Sequence, residues 1–540
     1  MVLTVCPDLP SRCGRVALGA TIALLAGAPL PAQITRAERT SYKETSSYAD
    51  VRAFLDSLHR RTNLIRVGVL ATTIEGREVP YVVAARPLVS TPAEAHRSGK
   101  PIVYLQADIH GGEVEGKEAA LMLLRDLTRG AKPSLLDSIV LLVVPINNPD
   151  GNDRWDRGER NRPGQNGPNL VGQNLNGQGL NLNRDYVKME APETRGAAAL
   201  VAAWDPDLFV DLHTTNGSYH GYALTYAPGL NPNSNPASDF VRNRLLPQLR
   251  ARMQQRHNQK TFSYGNFRNQ HPDSLRLGWE TYDSRPRFGT NWMGLRGRLA
   301  VLSEGYSNAD FRSRVAATYN FVRELLGLVA ADADTVKAVV QASSRQRVDS
   351  VAVRSELDTP THQEVIAEIT RELGEGNNGY ARRQRTGMYR VVRMPVFDRF
   401  RATRKEAVPR GYLLPPRLKA VIDLLRMHAV LVDRLTTSQP ISVEMFTVDS
   451  VIVGPLFEGH RTIMVEGGWS REPADTTISA GWYLVRTDQP LGILAAFLLE
   501  PASEDGMVTW NLLDREIRVR DTYPILRIRS SPTMPATAVP

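Results

Sequence analysis

Residues 101–128 read PIVYLQADIHGGEVEGKEAALMLLRDLT, and the pattern changes period at His110. Pro101 to Ile109 is an apolar run with a β-branched start, the mark of a buried strand; beyond it Ala119, Leu121, Leu124 and Leu127 fall at helical spacing. A strand that enters a helix through Gly111 and Gly112 delivers His110 and Glu113 to its carboxyl end, where sites gather in open α/β sheets. Two further runs behave alike: DLFVDL, Asp207 to Leu212, leads into His213, and RLAVLS, Arg298 to Ser303, leads into Glu304. An H-x-x-E taken alone is common by chance. Four ionisable groups at three strand ends are hard to explain as packing. Among them His110, Glu113 and His213, two imidazoles and one carboxylate, make the ligand set of a catalytic zinc that keeps one position for water or substrate.

Working outward, Tyr48 to Arg61 reads as a helix, and Ile65 to Ala85 as a pair of strands turning at Glu75-Gly76. SIVLLVVPI, Ser138 to Ile146, is a fully apolar central strand, and Asp239 to Arg256 and Arg312 to Ala330 have the spacing of covering helices. Strands alternating with helices indicate an α/β domain, a mixed β-sheet sandwiched by helices, closing near Val329 to Asp332.

These elements resemble the zinc carboxypeptidases, the funnelin metallocarboxypeptidase family, over roughly Ser41 to Gly327. The family's H-x-x-E looks like His110 to Glu113, its distal zinc histidine like His213 in VDLHT, and its catalytic glutamate like Glu304 in VLSEGYS. Its Asn-Arg pair, which grips the substrate's terminal carboxylate, looks like Asn183-Arg184 in LNLNRDY; the preceding N-P-D-G turn is Asn148 to Gly151, and the capping tyrosine looks like Tyr282. The oxyanion arginine follows that turn in the family, where this chain offers Arg154, Arg157, Arg160 and Arg162; Arg162 is favoured and Arg160 is next.

The resemblance implies one Zn2+ per chain, a peptide substrate with a free C-terminal carboxylate, and hydrolysis of its last peptide bond by a zinc-activated water with Glu304 as general base. Arg162 would stabilise the oxyanion, and the planar fork of Arg184 suits a carboxylate better than a lysine does. The same chemistry also serves an N-acyl amino acid or murein-peptide amidohydrolase, and a noncatalytic exported peptide- or glycan-binding protein would keep the cleft; the presence of Glu304 speaks against the latter. In the family a residue behind the capping tyrosine selects the terminal side chain. Gly289 looks nearest to it, with Arg285 and Arg287 close by, so the preference stays open.

Other groups carry plainer readings. Glu115 and Glu118 lie in the first turns of the helix, where acids are favoured by its dipole. Asp108 and Asp211 are candidates to orient a ligand histidine from behind. His220 is read as structural, and the Gly- and Asn-rich stretch from Gly158 to Asn183 as a loop at the rim of the site.

The chain's 540 residues exceed one ordinary domain. Arg12 and Arg15, the apolar run Val16 to Leu25 and the small residues to Ala32 have the order of a secretory signal, so residues 1–32 are expected to be removed and the protein to be secreted or periplasmic. Both cysteines, Cys6 and Cys13, fall inside that segment, which leaves the mature chain without a disulfide. The formal charge of +9 is spread along the chain, with no basic block or nucleic-acid motif, and no later stretch is apolar enough to span a membrane. The division expected is residues 33–330 for the catalytic domain, 331–440 for a helical or mixed connecting region with helices over Asp334 to Arg347 and Pro415 to Leu435, and 441–540 for a β-rich accessory domain that includes GILAAFLLEP as a strand. Trp469 and Trp482 in that last region are read as core in preference to a binding surface.

Overall fold

Eight strands form the sheet that carries the three apolar runs: β1 (Ile65–Thr72), β2 (Glu78–Ala84), β3 (Ile102–Ala107), β4 (Val140–Val144), β5 (Leu208–Thr214), β6 (Leu224–Pro228), β7 (Thr261–Ser263) and β8 (Leu299–Gly305). Their spatial order is β1-β2-β4-β3-β5-β8-β6-β7. The central strands β4, β3, β5 and β8 run parallel, while β1 and β2 are antiparallel at one edge and β6 is antiparallel to β8, so the sheet is mixed. The computed structural model describes residues 33–130, 134–234, 236–375, 381–529 and 535–539. The expected signal segment, with Cys6 and Cys13, lies outside them. Among the described residues no helix is long and apolar enough to cross a membrane.

All positions of β3, β4, β5 and β8 are buried, which is why these strands read as continuous apolar runs without alternation. Alternate side chains serve two cores. Val103, Leu105, Val210 and Val301 face the helices Tyr48–Arg61, Glu115–Thr128, Leu246–His257 and Phe311–Ala331. Tyr104, Leu142, Phe209 and Ala300 pack with Trp204 of the helix Pro192–Trp204 and Trp292 of the helix Gly289–Leu295. That second core continues into Tyr412, Leu425, Leu498, Trp510 and Tyr523, so the last third of the chain closes one face of the eight-stranded sheet. Residues 34–540 make one compact unit.

Three stretches of the later chain differ from their sequence reading. GILAAFLL forms the helix Gly492–Leu499 and not a strand; all but one of its residues are buried, and a segment that is apolar on every side carries no period to tell the two apart. The helix expected over Pro415 to Leu435 covers only Lys419–Met427, because Ala429 turns the backbone to φ 61° and Asp433–Leu435 joins a sheet. Between residues 350 and 407 the connecting region holds two antiparallel pairs, Ser350–Leu357 with Phe400–Ala407 and Thr361–Glu375 with Ala381–Phe397. In Phe400–Ala407 every second side chain is exposed, and the half-covered places hold Arg404 and Glu406 as well as Phe400 and Ala402, which hides the two-residue period behind charge. Trp469 and Trp482 are partly buried, Trp469 lying under the Arg527 guanidinium at 3.9 Å and bonding Glu500 at 3.2 Å.

Candidate metal centre

β3, β5 and β8 are neighbours in the sheet, so their carboxyl ends open onto one place. His213, the last residue but one of β5, lies directly opposite Glu304 in β8, the two being register partners across the parallel pair. His110 and Glu113 sit in the turn between β3 and the helix Glu115–Thr128. The glycines of that turn are required by close packing: a Cβ on Gly111 would stand 2.3 Å from the Asn152 nitrogen, and one on Gly112 would stand 2.6 Å from the Gly172 carbonyl oxygen.

The structure brings His110, Glu113 and His213 together, all buried, with one ligand atom of each within 4.8 Å of the others. The Glu113 carboxylate bridges the two rings, Oε1 at 3.0 Å from His110 Nδ1 and Oε2 at 2.9 Å from His213 Nδ1. The ring nitrogens turned away are held from behind. His110 Nε2 meets Asn181 Oδ1 at 3.0 Å, and His213 Nε2 lies 3.0 Å from Asp211 Oδ2. Two Nδ1 atoms converging on a carboxylate, with their orientation fixed by outer partners, fit a zinc ion in donor type and number.

Arg162 is buried against this cluster, its Nη1 2.9 Å from Glu113 Oε1 and its Nη2 donating to the Thr214 carbonyl at 3.2 Å. Arg160, by contrast, is exposed and pairs with Asp156. Burial alone would raise the Glu113 carboxyl, but the charges of His110 and Arg162 and the bonds from both histidines hold it well below the usual carboxylate range. For His213 burial favours the neutral ring, and Asp211 and Glu113 outweigh it and push the pKa well up. Glu304 accepts no ion pair at all among the described residues. Burial pushes its carboxyl up to about 8, with Glu113 and Asp211 adding to the shift and His213 and Arg162 opposing it.

Asn183 and Arg184, the pair expected to grip a carboxylate, follow Asn181 in the turn beside the cluster. Asn183 spans it, with Nδ2 at 3.3 Å from His213 Nε2 and Oδ1 accepting the Gly289 N–H at 3.0 Å. Arg184 donates to the Asn183 carbonyl at 2.7 Å and lies 4.0 Å over the Phe288 ring; among the described residues it has no carboxylate partner. The opposite neighbour of Phe288 is Tyr282, packed edge-on at 5.2 Å, whose hydroxyl meets Thr290 Oγ1 at 2.7 Å.

Other acids near the turn have separate work. Asp108 does not orient a histidine: it turns through φ 58° and its carboxylate faces Lys117 at 3.9 Å. Glu118 accepts from Thr45 and Ser46, and Glu115 accepts from Thr214 and faces Arg314. His220 is a core group, its ring tilted against that of Tyr306 at 4.2 Å, and burial pushes its pKa down to about 3. Within the Asn-rich stretch Asn176 and Asn183 are buried, and Asn181, which the sequence reading passed over, holds His110. Its spacing, two residues before Asn183 in NLNR, is the signal that could have found it.

Residues 51–282 match a family model described as zinc carboxypeptidase. Carboxypeptidase 2 of Trichophyton equinum is 25% identical over 480 residues, covering 84% of this chain and 81% of that protein. Carboxypeptidase 2 of Trichophyton rubrum is 24% identical over 469 residues, with the same coverage of 84% and 81%. Among solved structures, the carboxypeptidase A from Helicoverpa armigera overlaps 54% of this chain and 75% of its own at 16% identity and a TM-score of 0.41. A metallo-carboxypeptidase from Burkholderia cenocepacia overlaps 54% and 70% at 18% identity and a TM-score of 0.39.

Proposed function

We propose that this chain is a zinc carboxypeptidase, as the match of residues 51–282 to that family model supports, and that it removes the C-terminal residue from peptides with a free α-carboxylate, using one zinc held by His110, Glu113 and His213. The observation that carries the reading is the register of Glu304 beside His213 at the mouth of a cluster that Arg162 also faces. Bound there, zinc supplies a Lewis acid for the scissile carbonyl and a water of lowered pKa. Glu304 takes a proton from the attacking water and returns it to the leaving amine, a task suited to a buried carboxyl whose proton affinity lies near neutrality. Arg162 presents fixed positive charge to the developing oxyanion. Arg184, a half-buried guanidinium with no carboxylate partner among the described residues, receives the terminal carboxylate, and Asn183 holds the turn against His213 and Gly289. Tyr282 and Phe288 wall the far side. Export to a secreted or periplasmic location completes the proposal, supported by the composition of residues 1–32.

The test pairs zinc content with release of C-terminal amino acids. Wild type should bind one zinc and cleave free-acid peptides but not the same peptides with an amidated terminus. Glu304→Gln should keep the zinc and lose turnover by at least roughly 10³-fold. Turnover that survives the substitution rejects Glu304 as the base.

A further inference from the structure

The rim of the site is completed from far along the chain. Phe446–Phe457 and His460–Trp469 form a hairpin whose two-residue turn is Glu458-Gly459, with φ of 49° and 82°, the left-handed pair such tight turns require. Its tip is fixed on the catalytic side at several points. Glu458 Oε2 accepts the backbone N–H of Asn181 at 3.2 Å, in the same turn as Asn183 and Arg184. His460 bonds Glu190 at 2.9 Å and Asn511 at 3.0 Å, and the Phe457 ring lies 5.0 Å from the Arg287 guanidinium.

Around this rim nearly every charge is matched. Arg287 is bound by Asp505 at 2.7 Å, Arg285 by Asp283, and Lys188 by Asp185 and Glu190 at 2.7 Å each. Among the described residues the carboxyls of Glu304 and Glu504 form no ion pair, and at the Asn181 to Arg184 turn two opposite charges are likewise unmatched. Arg184 has no carboxylate partner, and Glu458 has no cationic one, although Glu458 is the carboxylate that acts most strongly on Arg184. They are close enough to feel one another and do not pair. Opposite charges left unpaired side by side are complementary to a ligand that carries both signs.

We propose that Glu458 is a specificity determinant of this pocket: it accepts the cationic side chain of a C-terminal lysine or arginine while Arg184 takes the α-carboxylate. This rests on the carboxypeptidase reading above. Glutamine at 458 keeps an oxygen for the Asn181 N–H and loses only the charge, so it separates recognition from support of the turn. The zinc-loaded full chain is assayed on peptides that differ only in a final Lys, Arg, Leu or Glu. Ratios of kcat/KM between two peptides on one preparation are insensitive to the fraction of folded enzyme. Wild type should prefer Lys and Arg to Leu; Glu458→Gln should lower the Lys-to-Leu ratio by roughly 10-fold or more, through KM, as expected for loss of a charged hydrogen bond. Glu458→Lys should turn the preference toward Glu. A wild type that cleaves without favouring basic termini, or a ratio unmoved in Glu458→Gln, overturns the assignment of Glu458 alone. A wild type that releases no terminal residue from any of the peptides overturns the carboxypeptidase reading and this inference with it.

Discussion

Arg162 grips Glu113 with one terminal nitrogen and the Thr214 carbonyl with the other, which only a planar fork can do at once. If its charge serves the transition state, Arg162→Ala should lower kcat by about 10²–10³-fold, and Arg162→Lys should recover little of it. Stopped assays at saturating peptide, with zinc measured on the same samples, check this: loss of metal in place of loss of kcat would make Arg162 a support for Glu113 only. Behind His110 stands a neutral amide, Asn181, where a carboxylate would make the ring a stronger ligand. Asn181→Asp should therefore tighten zinc binding, by about 10-fold on the usual scale of such outer partners, and competition with a chromophoric chelator reads it. An unchanged affinity would show that the amide only positions the ring.

Among the elements, the segment after the helix Lys419–Met427 ties the catalytic half to the rest through one imidazole. His428 is fully buried, donating from Nε2 to the Val187 carbonyl at 2.9 Å and accepting the Trp292 indole N–H on Nδ1 at 3.1 Å. Burial pushes its pKa down to about 3, and that of His220 likewise. A histidine whose folded pKa lies below the unfolded value stabilises fully above that unfolded value, about 6.5, and the contribution is lost as pH falls toward 3. Each such group is worth on the order of 5 kcal/mol across that window. Urea unfolding of wild type should weaken steadily below about pH 6.5, and His428→Gln, less stable at pH 7, should show a shallower acid slope. Equal slopes in the two proteins would place the acid sensitivity elsewhere. How legible such features are from sequence depends on how far apart their parts lie. His110, Glu113, His213 and Glu304 could be read because each follows a strand buried on both faces, visible as an unbroken apolar run. Asn181 and Glu458 are 277 residues apart, and no local period reports that they meet. The helix Gly492–Leu499 reads as a strand for the converse reason, since burial on nearly every side erases the period itself.

At the scale of the whole molecule, cohesion comes from a core that ignores the sequence division between residues 33–330 and 441–540. Tyr104, Phe209 and Trp292 of the catalytic sheet and its helix share one cluster with Tyr412, Leu498, Trp510 and Tyr523. Burying an aromatic or leucine side chain of this kind contributes roughly 1.5–3 kcal/mol, so parting the two regions would expose several such residues at once. Buried charge pairs cross the same boundary, Arg287 with Asp505 among them, and removing one partner of such a pair typically costs about 3–5 kcal/mol. The chain from Gln33 onward holds no cysteine, so no disulfide can keep the regions together after this core opens. These terms predict one cooperative unfolding transition in calorimetry, unchanged by reductant, in place of the two that independently folding domains would give. Zinc bound only by the folded state should raise that single transition as a unit, by about 4 kcal/mol at a free concentration 1,000 times its Kd. If metal instead raised one of two resolved transitions and left the other in place, the catalytic region would be a separate folding unit, and the hairpin carrying Glu458 would be docked on it and not built into it.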